Sequence, residues 1–147
     1  MTRRGCLPRL RSRSKGAAAV EFALILPLLL LLVLGAIDWG YYFFIDNIVV
    51  NAAREGARAG SVTATGSGNQ STALSNAETV ANGYLTRFGL SGICSGSCAT
   101  VVTVSGVSAI QVEISYPVGN SGSGSLTGFL ASIMPDNAWA RAAMRWQ

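Results

Sequence analysis

Histidine is absent from all 147 residues, and only 12% of them are charged. The first absence removes the commonest general base at neutral pH and the commonest metal ligand. Serine and aspartate are present, but without histidine they make no recognisable triad, and no nucleophile-base pair or metal-ligand set stands out. The sequence therefore predicts a protein that is not an enzyme and that needs no cofactor and no metal. The scarcity of charge, with half of the residues hydrophobic, is too apolar for a disordered chain and unusual for a freely soluble one. The length leaves room for one small domain plus a membrane anchor.

Acidic residues are missing from the first sixteen positions, where Arg3, Arg4, Arg9, Arg11, Arg13 and Lys15 supply six positive charges. From Ala17 onward five arginines meet seven carboxylates, a net −2, so the overall +4 belongs to the tail. Such a tail can bind nucleic acid. Beside an apolar run it reads more simply as a topogenic signal, because positive flanks stay in the cytoplasm, and no nucleic-acid partner is expected.

The apolar run is AAAVEFALILPLLLLLVLGAI, the 21 residues from Ala17 to Ile37 with one charge. At about 1.5 Å per residue it can cross a hydrocarbon core of ~30 Å. A buried helix in a soluble domain is the competing reading, but Leu28 to Leu32 are apolar all round and leave no polar stripe for solvent. Pro27 removes one backbone hydrogen bond and predicts a local kink in a helix that continues. Asp38, Trp39, Tyr41, Tyr42, Phe43 and Phe44 follow, an aromatic cluster of the kind found at headgroup level.

Helical spacing persists beyond this cluster. Ile45, Ile48, Val49 and Ala52 share one face, while Asn47, Asn51, Arg54, Glu55 and Arg58 gather on another. Glu55 and Arg58 stand as an i,i+3 pair of opposite charge, worth a few tenths of a kcal/mol. One helix over 17–60, membrane-spanning to about residue 38, would project its second half from the membrane or pack it on a domain. A polar Gly/Ser/Thr loop is expected over 61–75, and its Asn69-Gln70-Ser71 tripeptide is assigned no role.

A small α/β domain is expected over 76–147. Ala77, Val80, Ala81, Tyr84, Leu85 and Phe88 fall on one helical face, with Gly89 as the stop. Thr100–Val104 and Ile110–Tyr116 read as strands of a hairpin separated by 105–109, the second alternating until Pro117. Leu126–Met134 suggests a short helix and Asn137–Trp146 a last strand, whose alternation is imperfect because Trp139 and Arg141 share a face. The fold class is α+β: a long pilin-like N-terminal helix, then a helix packed on a short antiparallel sheet.

Glu21 is the residue of greatest chemical interest. An ionised carboxylate in an apolar run costs on the order of 2.5 to 3.5 kcal/mol at mid-helix and less near the interface. It can snorkel to the cytoplasmic headgroups. Alternatively, a cut between Gly16 and Ala17 creates an α-amino group about one turn from Glu21. When such helices pack side by side, the carboxylate of one subunit can neutralise the amine of a neighbour.

At these residues the chain resembles a known family. The basic leader, Gly16, AAAVEF with its Glu fifth after the cut, the leucine-rich span and NAAREGAR (Asn51 to Arg58) together resemble the TadE-like proteins, minor pseudopilins of the tight-adherence (Flp-type) pilus system. The resemblance covers about the first 60 residues. It implies that residues 1–16 are a cytoplasmic leader removed after Gly16 by a prepilin peptidase, and that Glu21 is the fifth-position pairing Glu. It also implies residence in the bacterial inner membrane with the C-terminal domain periplasmic, and action in pilus assembly and surface adhesion. The implied partners are other pilins and pseudopilins and the pilus assembly machinery. Asn51, Arg54, Glu55, Gly56 and Arg58 would carry the family motif. Whether the subunit enters the filament stays open.

Cys94 and Cys98 flank Ser-Gly-Ser in a segment placed outside the cytoplasm, which predicts a disulfide. Zinc is the rival reading, but two thiols without His or further Cys make half a site. Cys6 would remain with the leader. Two other functions compete with a pilin-like role: an uncleaved single-pass envelope protein whose outer domain binds a partner, and a secreted enzyme. The second is disfavoured because the apolar segment is longer than a signal core and is followed by Asp38 and the aromatics.

Overall fold

A computed structural model describes residues 14–63, 68–94, 96–118, 127–128 and 132–146. The expected leader, apart from Ser14 to Gly16, lies outside the described residues, as do Cys6 and the loop 119–126. The first helix, α1, runs unbroken from Ser14 to Ser61, 48 residues and about 72 Å. Pro27 sits inside it without ending it.

Four further elements complete the α+β fold: α2 (Gln70–Arg87), β1 (Ala99–Val104), β2 (Val107–Pro117) and β3 (Asn137–Arg145). The strands form one antiparallel sheet in the order β1-β2-β3. Helix α2 begins at Gln70, so part of the stretch expected as loop is helical. Its buried stripe is Ala73, Ala77, Ala81 and Leu85, a strict four-residue repeat. Val80 and Phe88, expected on that face, are exposed. The helix ends in a Schellman motif: the Leu90 N–H donates to the Leu85 carbonyl, the Gly89 N–H donates to the Thr86 carbonyl, and Gly89 takes a φ of 79°.

The β1–β2 hairpin is tighter than the 105–109 separation expected. Val104 pairs with Val107, leaving a two-residue turn. Ser105 (φ 51°) and Gly106 (φ 79°) both have positive φ, the requirement of a type I′ turn whose twist matches that of the strands. Ile110, Val112 and Ile114 face inward, as the alternation predicted. Of the short helix expected over 126–134, the described residues form bends and turns, and 126 and 129–131 lie outside the described residues.

In β3 the inward residues are Ala138, Ala140 and Ala142, and Trp139 and Arg141 face out. The alternation is therefore regular, with alanine where a larger apolar side chain is usual. Trp146 packs against the core, its indole N–H donating to the Thr63 carbonyl (2.9 Å) and its backbone N–H to the Ser108 carbonyl (2.9 Å). On the outer face Glu113 accepts from the Trp139 indole (3.0 Å) and from Arg141 Nη2 (3.1 Å), with the guanidinium 5.0 Å from the Trp139 ring centroid. As a half-exposed pair it contributes modestly, about 0.2–1 kcal/mol.

The core forms where the outer half of α1 meets α2 and the inner sheet face. Ile45, Ile48, Val49, Ala52, Ala53 and Ala57 of α1 are buried against the α2 alanines and Ile110, Val112 and Ile114. Two glycines permit this approach. A Cβ at Gly56 would lie 2.8 Å from the Ala77 carbonyl oxygen and 2.9 Å from the Ala81 Cβ. One at Gly60 would lie 2.8 Å from Ile110 Cγ2 and 3.0 Å from the Ala73 carbonyl oxygen. Neither backbone oxygen can swing aside, so any side chain at these positions pushes the helices apart.

Gly56→Ala gains helix propensity but overpacks the crossing, and the expected outcome is a net loss of about 1–2 kcal/mol. Thermal unfolding of the full chain in detergent, followed by circular dichroism, measures it. A midpoint equal to that of the parent chain would contradict the crossing geometry.

Candidate functional site: the long helix and its buried carboxylate

Along α1 the environment changes once. From Gly16 to Ile37 the side chains are almost all exposed, including Phe22, Leu24, Ile25, Leu28 and Leu32. These 22 residues rise about 33 Å, long and apolar enough to cross a bilayer, and none of the most apolar window is covered by the rest of the chain. From Asp38 onward the helix acquires a buried face.

Asp38 is fully buried, the first position of α1 to be so. Helical spacing explains its place: residues 38, 45 and 52 are seven apart, so the carboxylate lies on the stripe that carries Ile45 and Ala52. A buried carboxylate needs partners, since leaving one unpaired costs several kcal/mol. Thr127 supplies two, its N–H donating to Oδ1 (3.0 Å) and its hydroxyl donating to Oδ2 (2.6 Å). The connection between β2 and β3 is thereby fastened to the helix where the apolar run ends. Sequence inspection placed Asp38 only among the residues of the interface. Its seven-residue offset from Ile45 was the available signal, while a threonine 89 residues away in a Gly/Ser-rich stretch offered none.

The predicted site residues fall into separate zones. Gly16 and Ala17 lie near the start of α1 and are exposed, as is Glu21 one turn further on. Within NAAREGAR, Ala52, Ala53, Gly56 and Ala57 are buried and Asn51 is half-buried. Arg54, Glu55 and Arg58 are exposed, and Glu55 and Arg58 do not form an ion pair. The motif thus joins a small-residue face, which admits α2, to a charged face turned to solvent.

Cys94 and Cys98 are joined by a disulfide with a Cα–Cα separation of 5.3 Å. The bridged loop is fastened to α2 by Asn82, whose amide nitrogen donates to the Cys94 carbonyl and whose Oδ1 accepts from the Cys94 N–H (3.2 Å). Beyond it, the Glu113 N–H donates to the Cys98 carbonyl (2.8 Å), carrying the loop onto β2. Near the C-terminal end of β2, burial pushes the Tyr116 phenol above its ordinary pKa, with Tyr41 of α1 a secondary cause.

Residues 16–58 match the family model described as TadE-like protein. This stretch is similar to the TadE-like family. The match spans α1 from Gly16 to Arg58, under a third of the chain, and so takes in Glu21, Asp38 and NAAREGAR but none of α2 or the sheet. The TadE-like family is associated with tight-adherence pilus systems. No curated protein and no solved structure matches the chain.

Thr127→Val keeps the shape and the backbone N–H but removes the hydroxyl donor to Asp38. A hydrogen bond to a buried charge is worth about 1.5–3 kcal/mol, and a loss of that size is expected in urea unfolding of the full chain in detergent. An unchanged midpoint would show that the Thr127 hydroxyl contributes nothing.

Proposed function

We propose that the chain is a minor pilin-like (pseudopilin) subunit that acts in assembly of a tight-adherence pilus, and hence in surface adhesion. The single observation that carries this reading is the TadE-like match over a helix whose exposed apolar half follows a basic leader. In this reading the leader stays in the cytoplasm, α1 crosses the inner membrane, and the domain lies in the periplasm. A prepilin peptidase removes the leader between Gly16 and Ala17, and the new amine of one subunit meets Glu21 of another. Partners in this role are other pilins and pseudopilins and the assembly machinery, and the role is structural rather than catalytic.

The exposure of Glu21 supports the pairing, because among the described residues none of its own chain covers it and the carboxylate is open to a neighbouring helix. Such an ion pair between apolar helices fixes their register more than it adds stability, since both charges lose water. The continuity of α1 also suits an assembly subunit. The same unbroken helix forms the lateral surface and the domain core, so the domain is positioned wherever the helix packs.

Intact mass of the protein from membranes of a peptidase-positive strain is expected to lack Met1 to Gly16. Retention of those residues would favour an uncleaved single-pass envelope protein whose outer domain binds a partner. Separately, Glu21→Ala is expected to insert in the membrane at parental levels yet fail to co-purify with other pilins. Normal co-purification would contradict the pairing.

A further inference from the structure

The orientation of the domain on α1 follows from its own contacts. Gly60 lies against Ile110, Gly56 against Val112, Tyr41 near Tyr116, and Asp38 binds Thr127. Strand β2 thus runs antiparallel to α1, and the β2–β3 connection lies at the end of the domain where the apolar run stops. Helix α2 also runs antiparallel to α1, from Ala73 beside Gly60 to Phe88 beside Phe44, whose ring centroids are 6.3 Å apart.

Exposed apolar side chains stand on the elements that meet at this end of the domain. Phe43 is 55% exposed, Phe44 51%, Phe88 45% and Ile133 71%. Ile133 belongs to the β2–β3 connection, whose ends are drawn together by the Val118 N–H donating to the Asp136 carbonyl (2.8 Å). Arg87, also exposed, stands next to Phe88. A second, smaller aromatic group, Trp39 with Tyr42 and Phe43, continues this set down to the apolar run.

We propose that Phe43, Phe44, Phe88 and Ile133 form a base that rests in the headgroup layer of the bilayer leaflet from which α1 emerges. The proposal rests on the reading of α1 as a membrane span. Continuity selects lipid as the occupant: Phe43 and Phe44 lie on the very helix that spans, some 10 Å beyond Ile37. Helical side chains lean toward the N-terminus, here toward the membrane, and the headgroup layer is roughly 5 to 8 Å deep. Aromatic rings with an arginine beside them match the chemistry of that layer, where rings sit among the acyl carbonyls and guanidinium groups meet phosphates. Asp38 can lie at this depth because Thr127 covers it.

Nitroxide labels on single cysteines test the seat in the full chain carrying Cys6→Ser, held in nanodiscs of phosphatidylethanolamine and phosphatidylglycerol. Phe88→Cys and Ile133→Cys are compared with Leu30→Cys within the span and Val62→Cys at the far end of the domain. Ile133 is so exposed that its replacement leaves the packing intact. Collision with oxygen reports lipid, and collision with a water-soluble nickel chelate reports water. Both base labels are expected to show nickel collision several-fold below that at Val62, with oxygen collision raised toward that at Leu30. If either base label behaves like Val62 while Leu30 remains in lipid, the seat is overturned and the span stands. Exclusion of both reagents at residues 88 and 133 would assign the surface to a second copy of the chain and overturn it as well. A water-exposed Leu30 would remove the span reading itself, and the seat with it.

Discussion

At Gly56 and Gly60 the backbone of α1 comes so near to α2 and β2 that no side chain fits between them. The rest of the domain is arranged around this approach. Alanines at 73, 77 and 81 line the facing side of α2, and alanines at 138, 140 and 142 line the sheet, so α1 lies close to both layers. Among the described residues the large buried apolar side chains include Ile45, Ile48, Val49, Leu85, Leu90, Ile110, Val112, Ile114, Val118 and Met134. Small residues bury little apolar area each, so the interface relies on close backbone fit, and overpacking is less tolerated than in a core of interdigitated leucines. The charged half of NAAREGAR contributes nothing to this packing, and its alanines and glycine contribute most.

Because α1 is one helix, the two environments it serves are mechanically joined. The change takes place at Asp38, where a charge is kept buried by two hydrogen bonds from Thr127. A hydrophobic residue there could bury as much area without a desolvation penalty. A carboxylate instead demands one particular partner, and the partner holds the β2–β3 connection at one height along the helix. The disulfide and Asn82 do the same for the loop between α2 and β1. Both devices fix loops to helices by polar or covalent links, beside the core contacts of Leu90, Cys94 and Val118.

The helix and its exposed apolar run were legible in the sequence because both depend on local composition: a long leucine-rich run, then small and aliphatic residues at three- and four-residue spacing. The strand of alternating Ile110 to Tyr116 was legible for the same reason. Less was legible where partners decide the conformation. Ser105-Gly106 makes a two-residue turn because the strand register requires it, and Val107 to Ala109, with weak alternation, are recruited to β2 by pairing with Val102 to Val104. Gln70 to Ser75 is polar and looks like loop, yet it is helical because Ala73 fills the space beside Gly60. Val80 and Phe88 were misplaced on the buried face because hydrophobicity alone does not reveal that the buried stripe follows the four-residue repeat Ala73, Ala77, Ala81 and Leu85.

What the sequence alone determined was the division of the chain: a basic segment, an apolar helix that continues past its aromatic border, and an α+β domain. Hydrophobic periodicity and charge act over a few residues, and a single chain displays them fully. Tertiary structure decided which carboxylate mattered to the fold. Glu21 drew notice because it interrupts an apolar run, but it stays exposed, whereas Asp38 looked like the polar end of that run and proved to be buried. The reason is physical: a charge is expensive or harmless according to what surrounds it in three dimensions, and Thr127 reaches Asp38 only when the sheet has folded against the helix.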